Sequence, residues 1–366
     1  MIDKAQDEFF MRQALALAQK AQPIAMPNPA VGCVIVRDGV ILGRGFTQRP
    51  GGDHAEIQAV KDALTRTDSL QGACVYVTLE PCSHYGRTPP CAKRLIAEKV
   101  ERVVAACVDP NPSVAGRGLK MLEQAGIAVT CGVLEHEAWM SNAGFMTQMS
   151  EHRAWVRAKC AMSLDAQTAL QNGQSQWITG PQAREDGHRY RARAGAILTG
   201  IGTVLADDPQ LNVRLEGVQA DPLKVIVDSR LRLNSAAKII VPGRTVVATA
   251  STDTEQIDRI KALGCQVWYL PQAQGSGVDL RALIQALSAQ HINEIHVEAG
   301  ATLNGALLKA GLIDELLVYV APKLLGPGRG AFDLSALTDL TQADLWHFDH
   351  VEPVGCDMKM ILTKRK

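Results

Sequence analysis

Residues 51–60 read GGDHAEIQAV, a histidine and a glutamate two apart behind a glycine pair, at the head of a helical pattern from about His54 to Leu64. Alone, such a pair reads as a solvated helix end. Further on, residues 79–91 read LEPCSHYGRTPPC. Cys82 follows Pro81 at the end of an expected strand, and Cys91 follows Pro89-Pro90 at the start of an expected helix. One histidine and two cysteines therefore fall at strand-to-helix or loop-to-helix junctions. In α/β sheets that is where ligands bind, outside the carboxyl ends of the strands.

The chemistry of these residues suits zinc. Thiolate and imidazole are zinc ligands, and a catalytic zinc takes three protein ligands and keeps one position for water. His54, Cys82 and Cys91 are the expected ligands. Glu56 stands beside the metal rather than on it, where a carboxylate can take the water's proton and pass it to a substrate nitrogen and a leaving amine. This is the His-x-Glu…Pro-Cys-x-x-Cys logic of zinc deaminases, in which the glutamate is acid and base. One feature departs from it: eight residues, not two, separate the cysteines. His84 lies in that interval. Were it a fourth ligand, the zinc would be structural, the unit a binding module, and Glu56 would lack a purpose.

Around these segments, strands and helices alternate. VGCVIV and VILGRGF are joined by Asp38-Gly39, a hairpin signal. ACVYVTL (73–79), RVVAACV and IAVTCGVL read as further strands, with helices over 4–21, 90–99 and 116–126, and one helix over 135–153 leading into a connector. The pattern restarts after it. AWVRAKCAMSL, GAILTG, LKVIVDS, RTVVATA, CQVWYL, EIHVEAG and ELLVYVAPKLLG are strand candidates with helices among them, and the tail WHFDHVEPVGCDMKMILTK suggests closing strands. The expected fold class is α/β in two domains, 1–150 and 151–366.

Composition narrows the partners. Lys+Arg and Asp+Glu are both 38, so no global field favours nucleic acid or an anionic membrane. The start MIDKAQDEFF lacks the layout of a signal peptide, and no apolar run reaches the roughly 20 residues of a membrane span. Nine scattered cysteines do not form a secreted disulfide framework, so a reducing cytoplasm is expected. In the second half there is no Gly-x-Gly-x-x-Gly. Two glycine-containing strand exits, TGIGTVLADDP (199–209) and VEAGATLNGALL (297–308), are either phosphate-approaching turns or ordinary connections.

The segments HAE, LEPCSHYGRTPPC and the upstream PNPAVG resemble the deaminase half of the bifunctional riboflavin-biosynthesis deaminase/reductase family. The eight-residue interval is normal there, and it argues against nucleic-acid-editing deaminases. RAKCAMSLD, SQWITG, RARAGAILTGIGTVLADDP, IVDSR, VEAGATLNGALL and APKLLG resemble the family's reductase half. The resemblance implies a cytidine-deaminase-like layered domain followed by a dihydrofolate-reductase-like one. It implies hydrolytic deamination of 2,5-diamino-6-ribosylamino-4(3H)-pyrimidinone 5′-phosphate, then reduction of the ribosyl chain to ribityl with NADPH. The partners implied are a small pyrimidine nucleotide and further copies of the chain in a homo-oligomer. A zinc deaminase of another nucleotide, with a non-catalytic reductase-like half, is the competing reading.

By motif position, the resemblance implies that Asn28 lines the base pocket and that His84 and Arg87 hold the substrate phosphate. It places Ala161, Trp177, Thr203, Asp207, Ser229 and the loop Gly300, Ala301, Thr302, Leu303, Asn304, Gly305, Ala306 on the cofactor. Ser175, Arg191, Leu211, Arg214 and Glu298 contact the substrate, and Lys159 and Asp207 flank the reacting sugar as catalytic groups. The family's usual Gly and basic residue after Ser-Leu-Asp are here Ala166 and Gln167, which predicts a different turn geometry.

Overall fold

A computed structural model of the chain describes residues 4–85, 89–112 and 114–364. It divides into two compact units, 1–152 and 153–366. Among the described residues, no helix is long and apolar enough to cross a membrane.

The first unit holds α1 (Lys4–Ala25), β1 (Gly32–Arg37), β2 (Val40–Phe46), α2 (Ala55–Ala63), β3 (Cys74–Val77), α3 (Cys91–Ala97), β4 (Arg102–Ala105), α4 (Arg117–Gln124), β5 (Ala128–Cys131), α5 (Glu135–Ser141) and α6 (Ala143–Glu151). Its sheet runs β2-β1-β3-β4-β5. β1 is antiparallel to β2 and β3, whereas β3, β4 and β5 are parallel. The apolar run of β1 is buried almost throughout, as a central strand covered on both faces must be. Asp38 and Gly39 both take positive φ, 53° and 75°, which matches the hairpin twist the Asp-Gly pair predicts.

Packing in this unit brings α2 very close to β2. A Cβ at Gly45 would lie 2.2 Å from the Ala55 carbonyl oxygen, so only glycine lets the first turn of α2 sit there. That turn carries His54 and Glu56. On another flank, the buried Asp7 of α1 accepts two bonds from Arg102 at 2.9 and 2.7 Å and one from the Tyr76 hydroxyl at 2.9 Å.

The expected single helix over 135–153 is two helices broken at Asn142. Asn142 turns its amide to the backbone of Ala30, accepting from its N–H at 2.7 Å and donating to its carbonyl at 2.9 Å. Such a bond competes with helix continuation. It also clamps the PNPAVG segment, of which Asn28 is part.

The second unit holds β6 (Trp155–Ser163), β7 (Ala169–Leu170), α7 (Pro181–Arg193), β8 (Ala196–Gly200), α8 (Ile201–Asp207), β9 (Leu223–Val227), β10 (Thr245–Thr249), α9 (Thr254–Ala262), β11 (Gln266–Tyr269), α10 (Leu280–Ala289), β12 (Glu294–Val297), α11 (Ala301–Lys309), β13 (Glu315–Ala321), β14 (Gly328–Arg329), β15 (Trp346–Val354) and β16 (Asp357–Lys364). Its nine-stranded sheet runs β11-β10-β9-β8-β12-β6-β13-β16-β15. The first seven strands in that order are parallel; β16 and β15 close the edge antiparallel. The carboxyl ends of β9, β8, β12 and β6 therefore face one side.

Two strand exits take definite shapes. In TGIGTVLADDP, β8 ends at Gly200 and α8 follows directly. After Ser-Leu-Asp, Ala166 takes a left-handed φ of 61°, a conformation that glycine adopts freely. Flanking bonds hold it there: Asp165 accepts from the Leu325 and Gly326 N–H groups at 3.0 and 2.8 Å, and Gln167 N–H donates to the Ser163 hydroxyl at 3.0 Å.

Candidate functional site

His54 is the residue just before α2, with extended backbone and no side-chain capping bond, which leaves its imidazole available to a ligand. Its Nδ1 lies 3.6 Å from Cys82 Sγ and 3.4 Å from Cys91 Sγ. A tetrahedral zinc at ordinary Zn–S and Zn–N distances separates such donors by about 3.6 Å. The three ligand atoms lie within 4.8 Å of one another, so the donor set fits zinc in chemistry and in spacing. The Cys91 N–H donates to Cys82 Sγ at 3.3 Å, so the start of α3 offers positive charge to the sulfur.

Charge is strongly coupled in this cluster. A bond from Cys91, then from His54, holds the Cys82 thiol down at about 4. The same sharing pushes the Cys91 thiol far up, and a bond to Cys82 raises His54 to about 9. A divalent cation replaces that shared proton. Glu56 is buried in the first turn of α2, beside the cysteine pair. Burial, and next the charge of Cys82, push its carboxyl up to about 7.

His84 is exposed and does not belong to the donor cluster found among the described residues. The reading of a closed structural zinc with His84 as fourth ligand therefore loses its support. Asn28 is exposed, its N–H donating to the Ala25 carbonyl at 2.9 Å. Arg87 lies outside the described residues.

One residue of this site escaped the sequence reading. Glu80 is buried and accepts backbone N–H bonds from Gly118 at 2.7 Å, Gly116 at 2.8 Å, Asp109 at 3.2 Å and Leu119 at 3.3 Å. It ties the 109–119 loop to the strand exit that carries Cys82. Its only local signal is a carboxylate directly before Pro81-Cys82.

In the second unit the candidates form a charged cluster and a loop. Ala158 pairs with Val297 across β6 and β12, which brings Lys159 level with Glu298. Lys159 Nζ lies 3.8 Å from Glu298. Arg191, from α7, grips Glu298 with its fork, Nη2 at 2.9 Å from Oε2, and donates through Nη1 to the Asn212 carbonyl at 3.0 Å. The fork of Arg191 is thus turned on a carboxylate. Burial opposes the charge on Glu298, but Arg191 and then Lys159 hold its carboxyl well below the usual range. Arg214 is exposed, and its N–H donates to Nδ1 of the buried His188 at 3.2 Å. Burial, then Arg191 and Arg214, lower His188 to about 4.

Thr203 of α8 lies beside Gly300, where a Cβ would stand 3.9 Å from its hydroxyl. Gly300 caps α11, and Asn304 donates to the Ala299 and Ala331 carbonyls at 3.1 and 3.3 Å. Past Gly300 the expected loop is helix, the first turns of α11, and at Gly305 a Cβ would meet the Asp333 carbonyl at 2.2 Å, so residues 331–333 clasp this segment. Within it Ala301 and Leu303 are half-buried, and Thr302 and Ala306 are exposed. Ser229 follows β9; it, Ala161 and Ser175 are half-buried. Leu211 is buried, with φ of 47°. Trp177 is 61% exposed under the Arg184 guanidinium, 4.5 Å from its ring. Asp207 ends α8, exposed; among the described residues no bond joins it to the Lys159–Glu298–Arg191 cluster.

Three donors spaced for zinc beside a buried glutamate define a zinc-dependent deaminase unit, and the second unit is a parallel-sheet domain with its candidate residues along one edge. Family models agree with both parts: the cytidine and deoxycytidylate deaminase zinc-binding region matches residues 4–107, and the RibD C-terminal domain matches residues 154–360. The Escherichia coli K12 riboflavin biosynthesis protein RibD is 46% identical over 98% of this chain and 99% of its own. The structure of Acinetobacter baumannii RibD, form 1, is 42% identical over 100% of both chains, with a TM-score of 0.84. The Thermotoga maritima diaminohydroxyphosphoribosylaminopyrimidine deaminase/5-amino-6-(5-phosphoribosylamino)uracil reductase is 30% identical over 99% of both, with a TM-score of 0.86.

The chain belongs to the RibD family. It is a bifunctional enzyme of riboflavin biosynthesis, a deaminase joined to a reductase, with zinc and NADPH as cofactors.

Proposed function

We propose that the first unit removes the 2-amino group of 2,5-diamino-6-ribosylamino-4(3H)-pyrimidinone 5′-phosphate as ammonia, and that the second reduces the ribosyl chain of the product. The observation that carries this reading is the His54–Cys82–Cys91 donor set with Glu56 buried beside it. Bound zinc supplies the Lewis acidity that makes water a nucleophile at neutral pH. Glu56 takes the proton of the attacking water, hands it to the ring nitrogen, and delivers a proton to the amine as the C–N bond breaks. A carboxyl held near neutrality is suited to both directions of transfer. Asn28 lines the base pocket and, with His84 and Arg87, orients the nucleotide, the latter two as phosphate partners.

In the second unit NADPH supplies the hydride. Thr203, Ser229, Trp177, Ala161 and the Gly300–Ala306 loop seat it. Ser175, Leu211 and Arg214 hold the ribosylamino-pyrimidine. Lys159 and Asp207 manage the proton at the reacting sugar. Glu298 is the counter-charge that orients Lys159 and Arg191 toward the substrate, because both cations converge on it. The protein works in the cytoplasm, in keeping with its nine scattered cysteines, all free. Self-association is supported by the edge strand β15, which exposes Phe348 and Val351; light scattering on the purified chain checks it.

The decisive experiment runs both half-reactions on wild type and Glu56→Gln. The variant is expected to keep zinc and to reduce deaminated substrate, yet not to deaminate. Retained deamination would remove the role assigned to Glu56.

A further inference from the structure

Between the end of α8 and the start of β9, residues 208–222 form neither helix nor strand. No ladder holds the backbone there, yet the stretch carries Leu211 and Arg214. Three contacts fix the part between those two residues. The Leu211 side chain is buried, with its backbone at a left-handed φ of 47°. Arg191 Nη1 donates to the Asn212 carbonyl at 3.0 Å, and the Arg214 N–H donates to His188 Nδ1 at 3.2 Å. His188 and Arg191 stand three apart on α7, so they share one face of that helix.

The bond to His188 makes a chemical demand. It needs a side chain that accepts, and lysine and arginine only donate. Imidazole accepts through one nitrogen while it is neutral. His188 is 8% exposed. Burial, then the Arg191 and Arg214 guanidiniums, lower it to about 4, against the charge of Glu298 and the Asn212 carbonyl, which favour protonation. At neutral pH the ring therefore carries no charge, and Nδ1 stays an acceptor.

The two arginines beside this ring differ in what they hold. The fork of Arg191 is taken up by Glu298. Arg214 is exposed, its Nη1 donates to the Asn212 side chain at 3.0 Å, and among the described residues no carboxylate stands within ion-pair distance of it. Arg214 is thus the cation that can meet an anionic ligand, and its direction depends on the backbone that His188 holds. We infer that His188 is a positioning residue of the reductase, which accepts the Arg214 N–H and so sets the 211–214 segment for Arg214 to meet the nucleotide. The inference rests on the proposed place of Arg214 at the substrate.

Steady-state reduction of the deaminated nucleotide by the full chain, followed by NADPH absorbance, tests it with His188→Leu, His188→Gln and Arg214→Gln. His188→Leu is expected to raise the KM for the nucleotide about five- to tenfold, the worth of one hydrogen bond, with kcat and the KM for NADPH changed by less than about twofold. His188→Gln, whose amide oxygen accepts, is expected to recover part of the loss. In an Arg214→Gln background His188→Leu is expected to cost little more, since a positioning residue acts through the group it positions. Circular dichroism and the deamination rate report the fold of each variant. An unchanged nucleotide KM in His188→Leu overturns the inference, as do costs that add in full in the double variant or a glutamine that recovers nothing. If His188→Leu does not fold, the coupling of His188→Gln to Arg214→Gln decides by the same rule. If Arg214→Gln alone leaves the nucleotide KM unchanged, the substrate role of Arg214 falls and the inference with it; if Arg214→Gln raises that KM and His188→Leu does not, only the His188 assignment falls.

Discussion

The two units build polar sites in opposite ways. In the first, three metal donors and one carboxylate come from two short segments: His54 and Glu56 at the start of α2, and the stretch from Cys82, past the end of β3, to Cys91 at the start of α3. In the second, Lys159, Arg191 and Glu298 come from β6, α7 and the end of β12, and the two cations share the one carboxylate. A metal site must gather donors of one kind and leave their charge to the cation. A site for an anionic nucleotide must keep cations ordered before the ligand arrives, and a buried carboxylate does that at the cost of occupying an arginine fork.

The largest effect that sharpens this contrast is Glu56→Gln. Loss of a positioned acid and base costs about 10²–10⁴-fold in turnover, with zinc content by metal analysis unchanged and reduction intact. Arg191→Met comes next. It leaves Glu298, nearly buried, with Lys159 as its one remaining lysine or arginine partner beside His296, and removal of one partner of a buried pair costs about 3–5 kcal/mol. Reduction should fall while deamination persists, and urea unfolding should show the second unit weakened. Because the folded Glu298 carboxyl lies below its ordinary 4.5, its stabilisation is fully present above pH 4.5 and is lost as pH falls through the folded value. The deficit of the variant should therefore shrink in acid; a deficit constant from pH 7 into strong acid would break the assignment.

A smaller effect tests the packing under the metal site. Gly45→Ala forces α2 off β2, at about 1–3 kcal/mol, and should lower zinc affinity through His54 without touching NADPH binding. An unchanged zinc affinity would mean that the first turn of α2 is not set by that contact. The smallest is Ala166→Gly in the second unit. It relieves a left-handed alanine and should raise stability by about 1 kcal/mol or less, read from the thermal midpoint.

Much of the first site was legible because its signals are local. His54, Glu56, Cys82 and Cys91 occupy two segments whose prolines, glycines and helical pattern announce the junctions. Glu80 was not, since its partners Asp109, Gly116, Gly118 and Leu119 lie 29 or more residues away. In the second unit, the strands were legible as apolar runs, while the Arg191–Glu298 pair spans 107 residues and depends on where α7 packs. The two-residue strands β7 and β14 carry too few side chains to leave a pattern. The break at Asn142 reads as helix until Ala30 is seen to compete for its amide.

By itself the sequence determined the alternation of elements, the two-part chain, and the zinc chemistry of four residues, because periodicity and donor type are properties of short segments. Only the tertiary structure decided that the donors stand at zinc spacing, that His84 stays outside their cluster, that Glu298 takes the fork of Arg191, and that the Arg214 N–H meets His188. These depend on strand register and on which side chains burial forces together, and both are set by contacts between residues far apart in the chain.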